Sequence, residues 1–386
     1  MSIKNWRISG RGKKVIYLNN AATSWPKPRC VTSAIKKSLD ELPCSAYRSG
    51  FEEEENFNCK DLLAKLLKID NPNNIVYGSN ATFALNLAIQ GFKFTKGDKI
   101  LTTAAEHNSV LRPLYYLQKK KIIQYEIMDV NEEGRIDPYL WEEKIKEIKP
   151  RMVVFTHASN VTGAINDAKE LTAIAKKYNC VVLLDASQSL GLIDVFPQKW
   201  NIDMVAFTGH KYILGPQGTG GLYVSPTIKL SPVLQGGTGI YSDEETMPEQ
   251  MPLRLEAGTP NDVSFKGLEA ALRWSFENPI NKEKINYLVN KVKKELKKMD
   301  VNVIDVSGET TPVISFTMEG YNVNEVGEIL QMSFDIICRS GLHCAPLIHK
   351  CLKTSPKGTV RISLSRFTTE EEIDYFINSI KDMING

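Results

Sequence analysis

The stretch RSGLHCAPLIH, residues 339–349, holds two histidines and one cysteine among small residues and a proline. A cysteine that only fills a core needs no such company. Cys344 therefore reads in three ways: packing, a metal ligand, or a nucleophile acting as its thiolate. Cys338, His343, Cys344, His349 and Cys351 crowd together, yet their intervals lack the short paired spacing of structural zinc sites, and no metal is expected.

A second stretch, FTGHKYILGPQGTGGLYV (207–224), sets Lys211 after a strand-like run and ahead of a glycine-rich turn. A lysine held among apolar neighbours sheds its proton readily and suits a Schiff base; an exposed lysine at a turn is the plainer alternative. LLDASQSLG (183–191) ends an apolar run in a carboxylate, which is costly to bury unless a cation or a helix start pairs with it. A protonated pyridine nitrogen is one such cation, so Asp185 and Lys211 at successive strand ends fit a pyridoxal phosphate site. The phosphate needs donors. GSNATFALN (78–86) places small polar residues, Thr82 among them, before a helix whose start favours either an anion or an ordinary cap. GPQGTGG follows the lysine and leads into a strand, which is not the order of a dinucleotide turn.

These residues need a frame. NIVYGS (74–79), KILTTA (99–104), RMVVFTHAS (151–159), CVVLLDAS (180–187) and DMVAFTG (203–209) read as short buried strands. ATFALNLAIQGF (81–92), the region around VLRPLYYLQKKKI and KELTAIAKKYN (169–179) read as helices between them. The alternation predicts βαβ units on a mainly parallel sheet, with ligands beyond the carboxyl ends of its strands. Thr82, His107, Asn160, Asp185, Gln188, His210 and Lys211 fall at those ends. CKDLLAKLLKI (59–69) is helical, with the acidic FEEEENF before it as a solvated helix start. After about residue 270, lysine-rich amphipathic helices give way to VNVIDVS, TPVISFTM and TVRISLS mixed with helices, the look of a smaller α+β unit. The expected architecture is α/β, with a large cofactor domain over 15–270 and a small domain from 1–14 and 271–386.

The formal charge of +3 over 386 residues argues against a nucleic-acid or membrane surface. Seven cysteines without framework spacing read as free thiols in a reducing, cytoplasmic setting. No signal peptide and no apolar run of membrane-spanning length is visible.

Taken in order, NNAATSWPKP (19–28), SNATFALNLA (79–88), AEHNSVLRPL (105–114), THASNVTGAI (156–165), LLDASQSLG, FTGHK, EAGTPN (256–261) and RSGLHCAP resemble the class V aminotransferase-like pyridoxal phosphate enzymes. Within them, the chain resembles the cysteine desulfurase and selenocysteine lyase group. The resemblance implies fold type I and a homodimer. It makes Lys211 the Schiff-base lysine that also moves the Cα proton, Asp185 the partner of the ring nitrogen and Gln188 that of the ring hydroxyl. His107 becomes the histidine stacked on the ring, and Thr82, Thr208 and His210 phosphate ligands. Thr259 would reach the phosphate from a second subunit, and Arg361 would clamp the substrate carboxylate, with Asn160 near both that carboxylate and the ring hydroxyl. Cys344 becomes the nucleophile, taking sulfur from L-cysteine as a persulfide and passing it to an acceptor protein. A cation beside Cys344 would help, either the cofactor or His343, although His343 equally fits packing. The brevity of the segment resembles the less mobile branch of the family, whose members often need a partner protein to take the sulfur.

The sequence also departs from the pattern. Asn19 stands where an acid is usual, Phe83 where a glutamate is common, YRSGF (47–51) lacks a histidine often found nearby, and Leu342 precedes His343 where some relatives have a second histidine. These bear on substrate preference. Rival readings are a selenocysteine or cysteine sulfinate lyase, another class V aminotransferase or lyase that does not use Cys344, and a non-enzymatic redox or zinc protein.

Overall fold

The run VVLLD (181–185) is buried at all five positions, which requires a strand covered on both faces. In the computed structural model it is the sixth of thirteen strands, the structure describing residues 15–42 and 59–385. Cys44, FEEEENF and YRSGF lie outside the described residues.

The chain begins with β1 (Ile16–Tyr17), α1 (Arg29–Asp40) and α2 (Cys59–Leu67). A regular alternation follows: β2 (Ile75–Gly78), α3 (Ala81–Gly91), β3 (Asp98–Thr103), α4 (Asn108–Lys119), β4 (Ile123–Met128) and α5 (Pro138–Ile148). It continues through β5 (Met152–Thr156), α6 (Ala168–Lys177), β6 (Val181–Asp185), α7 (Pro197–Trp200), β7 (Met204–Thr208) and β8 (Gly220–Val224). Strands β2 to β8 form one seven-stranded sheet in the order β2-β8-β7-β6-β5-β3-β4. Only β8 runs against the others, so the sheet is mainly parallel, as expected. The carboxyl ends of β5, β6 and β7 consequently share one edge of the sheet. Apolar side chains cover both its faces and make up the large core, under α2, α5 and α6 on one side and under α3 and α4 on the other.

Local chemistry starts the helices at that edge. The Asn80 side chain accepts from Phe83 N (2.9 Å) and caps α3, while His107 Nδ1 accepts from Ser109 N (3.1 Å) and caps α4. The glycines after Lys211 also find a reason here. A Cβ on Gly220 would meet the Asn80 Cα at 2.8 Å, so the glycine lets β8 run directly beneath the start of α3.

The changeover to the second core falls after α8 (Asp262–Glu277), whose Phe265, Leu268 and Leu272 pack into the large core. α9 (Lys282–Lys298) turns Leu288, Val292 and Leu296 into the second core, each burial contributing about 2 kcal/mol, and its lysines outward. Beyond it come β9 (Asn302–Val303), β10 (Val313–Thr317), α10 (Val323–Phe334), β11 (Ile336–Ile337) and β12 (Arg339–Gly341). The chain ends with α11 (Ile348–Cys351), β13 (Thr359–Ser363) and α12 (Glu370–Asn385). The antiparallel sheet β12-β13-β10-β9 and helices α9, α10 and α12 enclose this core. Ile16 and Leu18 belong to it too, through the pairing of β1 with β11.

Candidate active site

At the shared edge of the large sheet, a cleft of about 480 Å³ is lined by Thr82, His107, Asn160, Asp185, Gln188, Thr208, His210 and Lys211. Eight of the residues singled out from the sequence thus converge. Asp185 ends β6, and its Oδ1 accepts from Ser187 N (2.9 Å) and Ser187 Oγ (2.5 Å), which fixes the plane of the carboxylate. Gln188 Nε2 donates to Ala21 O (2.9 Å), while its Oε1 is buried without a partner. Thr208 ends β7, its hydroxyl 3.5 Å from Thr219 O. The His210 carbonyl accepts from Ser24 N and Lys27 Nζ, and its ring Nδ1 is a second buried atom without a partner.

Burial governs the charges here. It pushes the Lys211 amine down to about 8, helped by the Arg361 and Arg339 charges and opposed by Asp185. The His107 imidazole is held at about 4, by burial first and then by the cations of Lys211, Arg339 and Arg112. His210 is also held at about 4 by burial. Glu106 is fully buried behind the site and pushed up to about 8; its Oε1 accepts from Thr103 Oγ1 (2.6 Å) and Thr156 N (3.0 Å).

The donor set suits a flat, phosphorylated pyridine. A carboxylate faces the cleft from one strand end and an amine from the next. Two buried polar atoms, Gln188 Oε1 and His210 Nδ1, lack partners, and the start of α3 offers its dipole to an anion beside Thr82.

Cys344 lines an adjoining groove with Thr82, His107, Arg112 and Tyr116. The residue sits in a tight turn after β12, in which Ala345 N donates to Leu342 O (2.9 Å) and both His343 (φ 51°) and Cys344 (φ 61°) are left-handed. Two such non-glycine residues in a row are strained, at a cost of about 1 kcal/mol or more each. The turn is held by its surroundings. Asn108 N donates to Cys344 O (2.7 Å) and Asn160 Nδ2 to His343 O (2.8 Å).

The fixed cation beside the sulfur is Arg339, whose Nη2 donates to Cys344 Sγ (3.0 Å). His343 does not play that part. Its ring is 2% exposed and its Nε2 lies 3.0 Å from both Thr359 O and Thr359 Oγ1. Burial holds it well below the ordinary histidine range, so it packs as a neutral ring. Burial pushes the Cys338 thiol up to about 12 and also raises that of Cys351. Among the described residues no group of three His, Cys, Asp or Glu side chains is placed to hold a metal ion.

Arg361, on β13, is 1% exposed and directly opposite Arg339 in the ladder. Its Nη1 donates to Asn160 O (2.8 Å) and its Nη2 to Asn19 Oδ1 (3.2 Å), while Nε is buried without a partner. Burial and Arg339 lower its pKa to about 10, and it stays charged. Thr259 stands apart: it is exposed and does not line the cleft of its own chain.

Sequence reasoning missed Arg339 and Glu106 and gave Asn19 no contact. Arg339 was within the quoted RSGLHCAP. The available signal was its position as the nearest permanent cation to Cys344.

The chain has extensive relatives. The Aminotransferase class-V family matches residues 16–376. A probable cysteine desulfurase of Pyrococcus abyssi is 31% identical, with 97% of this chain and 95% of that protein covered. One of Methanothermobacter thermautotrophicus is 29% identical over 95% and 94%. Among solved structures, the apo cysteine desulfurase of Thermococcus onnurineus NA1 superposes with a TM-score of 0.86 at 30% identity, covering 96% of this chain and 95% of that one. The Escherichia coli cysteine desulfurase CsdA, in an S-sulfonic acid form, also gives 0.86, at 25% identity over 96% and 95%. With the family match running through both cores, the chain belongs to the aminotransferase class-V family, in its cysteine desulfurase group.

Proposed function

We infer that this protein is a pyridoxal phosphate-dependent cysteine desulfurase that converts L-cysteine to L-alanine and leaves the sulfur on Cys344 as a persulfide. The observation that carries the reading is the placing of Cys344 Sγ, under the Arg339 guanidinium, in a groove that shares Thr82 and His107 with the Lys211–Asp185 cleft.

In this reading Asp185 meets the ring nitrogen, Gln188 the ring hydroxyl and His107 the ring face. Thr82, Thr208 and His210 take the phosphate, joined by Thr259 of a second subunit; its exposure and its absence from the lining of its own cleft support that sharing. When bound, the cofactor supplies an electron sink that acidifies the substrate's Cα–H. The protein's residues do the rest. Arg361 orients the substrate by its carboxylate. Lys211, with its pKa near 8, has enough neutral amine at physiological pH to take the Cα proton. His107 is neutral and, because Nδ1 accepts from Ser109 N, carries its proton on Nε2 as a donor. Cys344 Sγ attacks the substrate sulfur: the S–S bond forms, the Cβ–S bond breaks with its electrons going to carbon, Cβ takes up a proton, and Lys211 returns a proton to Cα. The groove past Arg112 and Tyr116 is the way out toward a sulfur acceptor. Six unpaired cysteines among the described residues support a reducing, cytoplasmic setting, and no helix among them is long and apolar enough to cross a membrane.

The test is one assay on the holoenzyme and on Cys344→Ser, each given L-cysteine and a thiol reductant, with alanine and sulfide quantified together. Equal yields from the wild type and a coloured but inactive variant are expected. A variant that still releases sulfide at the wild-type rate would sink the reading.

A further inference from the structure

The groove beside Cys344 is built from two helix faces. α3 and α4 pack side by side on one face of the large sheet. Each lends the groove side chains four residues apart: Thr82, Asn86 and Gln90 from α3, and Asn108, Arg112 and Tyr116 from α4. Cys344 lies at the end where both helices start, its carbonyl held by Asn108 N (2.7 Å). Eight residues of helix make the groove about 12 Å long, room for roughly three or four residues of extended chain.

The walls are polar and almost uncharged. Gln90 Nε2 donates to Asn86 Oδ1 (2.6 Å) and Asn86 Nδ2 to Thr82 O (2.9 Å), which sets out side-chain amides of the kind that meet a peptide backbone. α3 has no charged side chain, and the charged residues of α4 are both cations, Arg112 and Lys119. No carboxylate lines the groove among the described residues. Arg112 is exposed and forms no ion pair among them. Arg339 already serves the sulfur itself, whereas Arg112 has its charge free. A guanidinium open in such a groove attracts a carboxylate and repels a cation.

We propose that the α3–α4 groove is the docking site of a sulfur-acceptor protein whose cysteine is flanked by an acidic side chain, and that Arg112 receives that acid. The proposal rests on the reading of Cys344 as the sulfur carrier and names the chemistry of its acceptor. The acceptor's thiolate attacks the outer sulfur of the Cys344 persulfide, and a new S–S bond forms. The bond from that sulfur to Cys344 Sγ breaks, its electron pair returns to Sγ beside Arg339, and the transferred sulfur keeps its hydrogen.

The experiment loads the holoenzyme with L-cysteine in the absence of thiol and counts the persulfide by the alanine released. Three capped peptides are then offered as acceptors, acetyl-Gly-Cys-Glu-Gly-amide and its counterparts with Gln or Lys for Glu, and loss of the enzyme persulfide is followed. The wild type should discharge to the Glu peptide roughly three- to tenfold faster than to the Gln peptide, and most slowly to the Lys peptide. Arg112→Gln should bring the Glu and Gln peptides within about twofold of each other, Arg112→Glu should reverse the order, and Arg112→Lys should keep it. Each ratio is taken among peptides on one protein, so a merely structural fault slows all three alike and leaves the ratio standing. A preference that survives Arg112→Gln overturns the proposal, as do equal rates in the wild type. 2-Mercaptoethanesulfonate, a charged thiol without a peptide backbone, should be slower than the Glu peptide; the opposite order makes the occupant a small anionic thiol and overturns the protein. One alanine per site followed by equal discharge to all peptides fells the proposal alone. No alanine at all fells the reading of Cys344 along with it.

Discussion

Arg339 Nη2 donates to Cys344 Sγ at 3.0 Å, and the two residues are five apart, joined by the end of a strand and a strained turn. In the proposed reaction, that donor would meet the negative charge the sulfur carries as it attacks. A guanidinium stays charged throughout the working pH range, unlike the neutral His343 beneath the turn.

Replacing Arg339 with Ala should therefore lower kcat by roughly ten- to a hundredfold, as expected for losing one charged hydrogen bond. Alkylation of Cys344 by iodoacetamide at neutral pH should slow in parallel. Wild-type alkylation and turnover in the variant would show that the contact has no chemical consequence.

Acid stability gives a second prediction. The chain's five histidines are 107, 157, 210, 343 and 349, and burial lowers all of them, the first three to about 4. An unfolded chain takes up protons on the rings of His107, His157 and His210 from about pH 6.5 downward, and the folded chain only near 4. Stability should fall across that window, by about 1.4 kcal/mol per pH unit for each ring. Glu106 runs the other way, since it keeps its proton up to about 8 when folded, and it offsets one histidine. Urea unfolding midpoints should drop between pH 6.5 and 5; equal midpoints would contradict the buried, neutral rings.

Lys211 titrates in a different range. An amine near 8 is about a tenth neutral at pH 7, against a few parts in ten thousand at the ordinary lysine value. Capture of pyridoxal phosphate by cofactor-free protein should accelerate through a midpoint of about 8, followed by absorbance. A midpoint near 10 would remove the argument for Lys211 as the proton acceptor.

Thr259 allows a test of sharing between subunits. Chains carrying Lys211→Ala and chains carrying Thr259→Ala should each be impaired alone. A mixed dimer should regain one intact site, with Lys211 from one chain and Thr259 from the other. Equal co-refolding makes about half of the dimers mixed, each with one working site of two, so recovery approaching about a quarter of the wild-type rate is expected; no recovery would place Thr259 outside the partner's site.

The residues at the ends of the parallel strands were legible because burial on both faces writes itself as short apolar runs, with the next polar residues marking the open edge. Asp185, His210 and Lys211 were found that way. The reversed direction of β8 was not legible, because GLYV reads the same in either sense and pairing lies beyond local sequence. Nor was the Arg339–Arg361 register, which joins residues 22 positions apart across a ladder. His343 shows the limit of counting types. A histidine beside a cysteine suggested a cation, and only the depth of its burial made it a neutral spacer. α8 keeps Phe265, Leu268 and Leu272 on the large core, a side-chain direction set by packing rather than by local sequence.

The second core has a consequence of its own. Lys211, Asp185 and His107 rise from the seven-stranded sheet, whereas Arg361, Arg339 and the turn bearing Cys344 belong to the four-stranded one. In the proposed reading, colour and turnover would therefore reside in different halves of the molecule. Mild heat or denaturant that parts the halves before melting either one would leave a yellow protein that still holds its cofactor and has lost its catalysis.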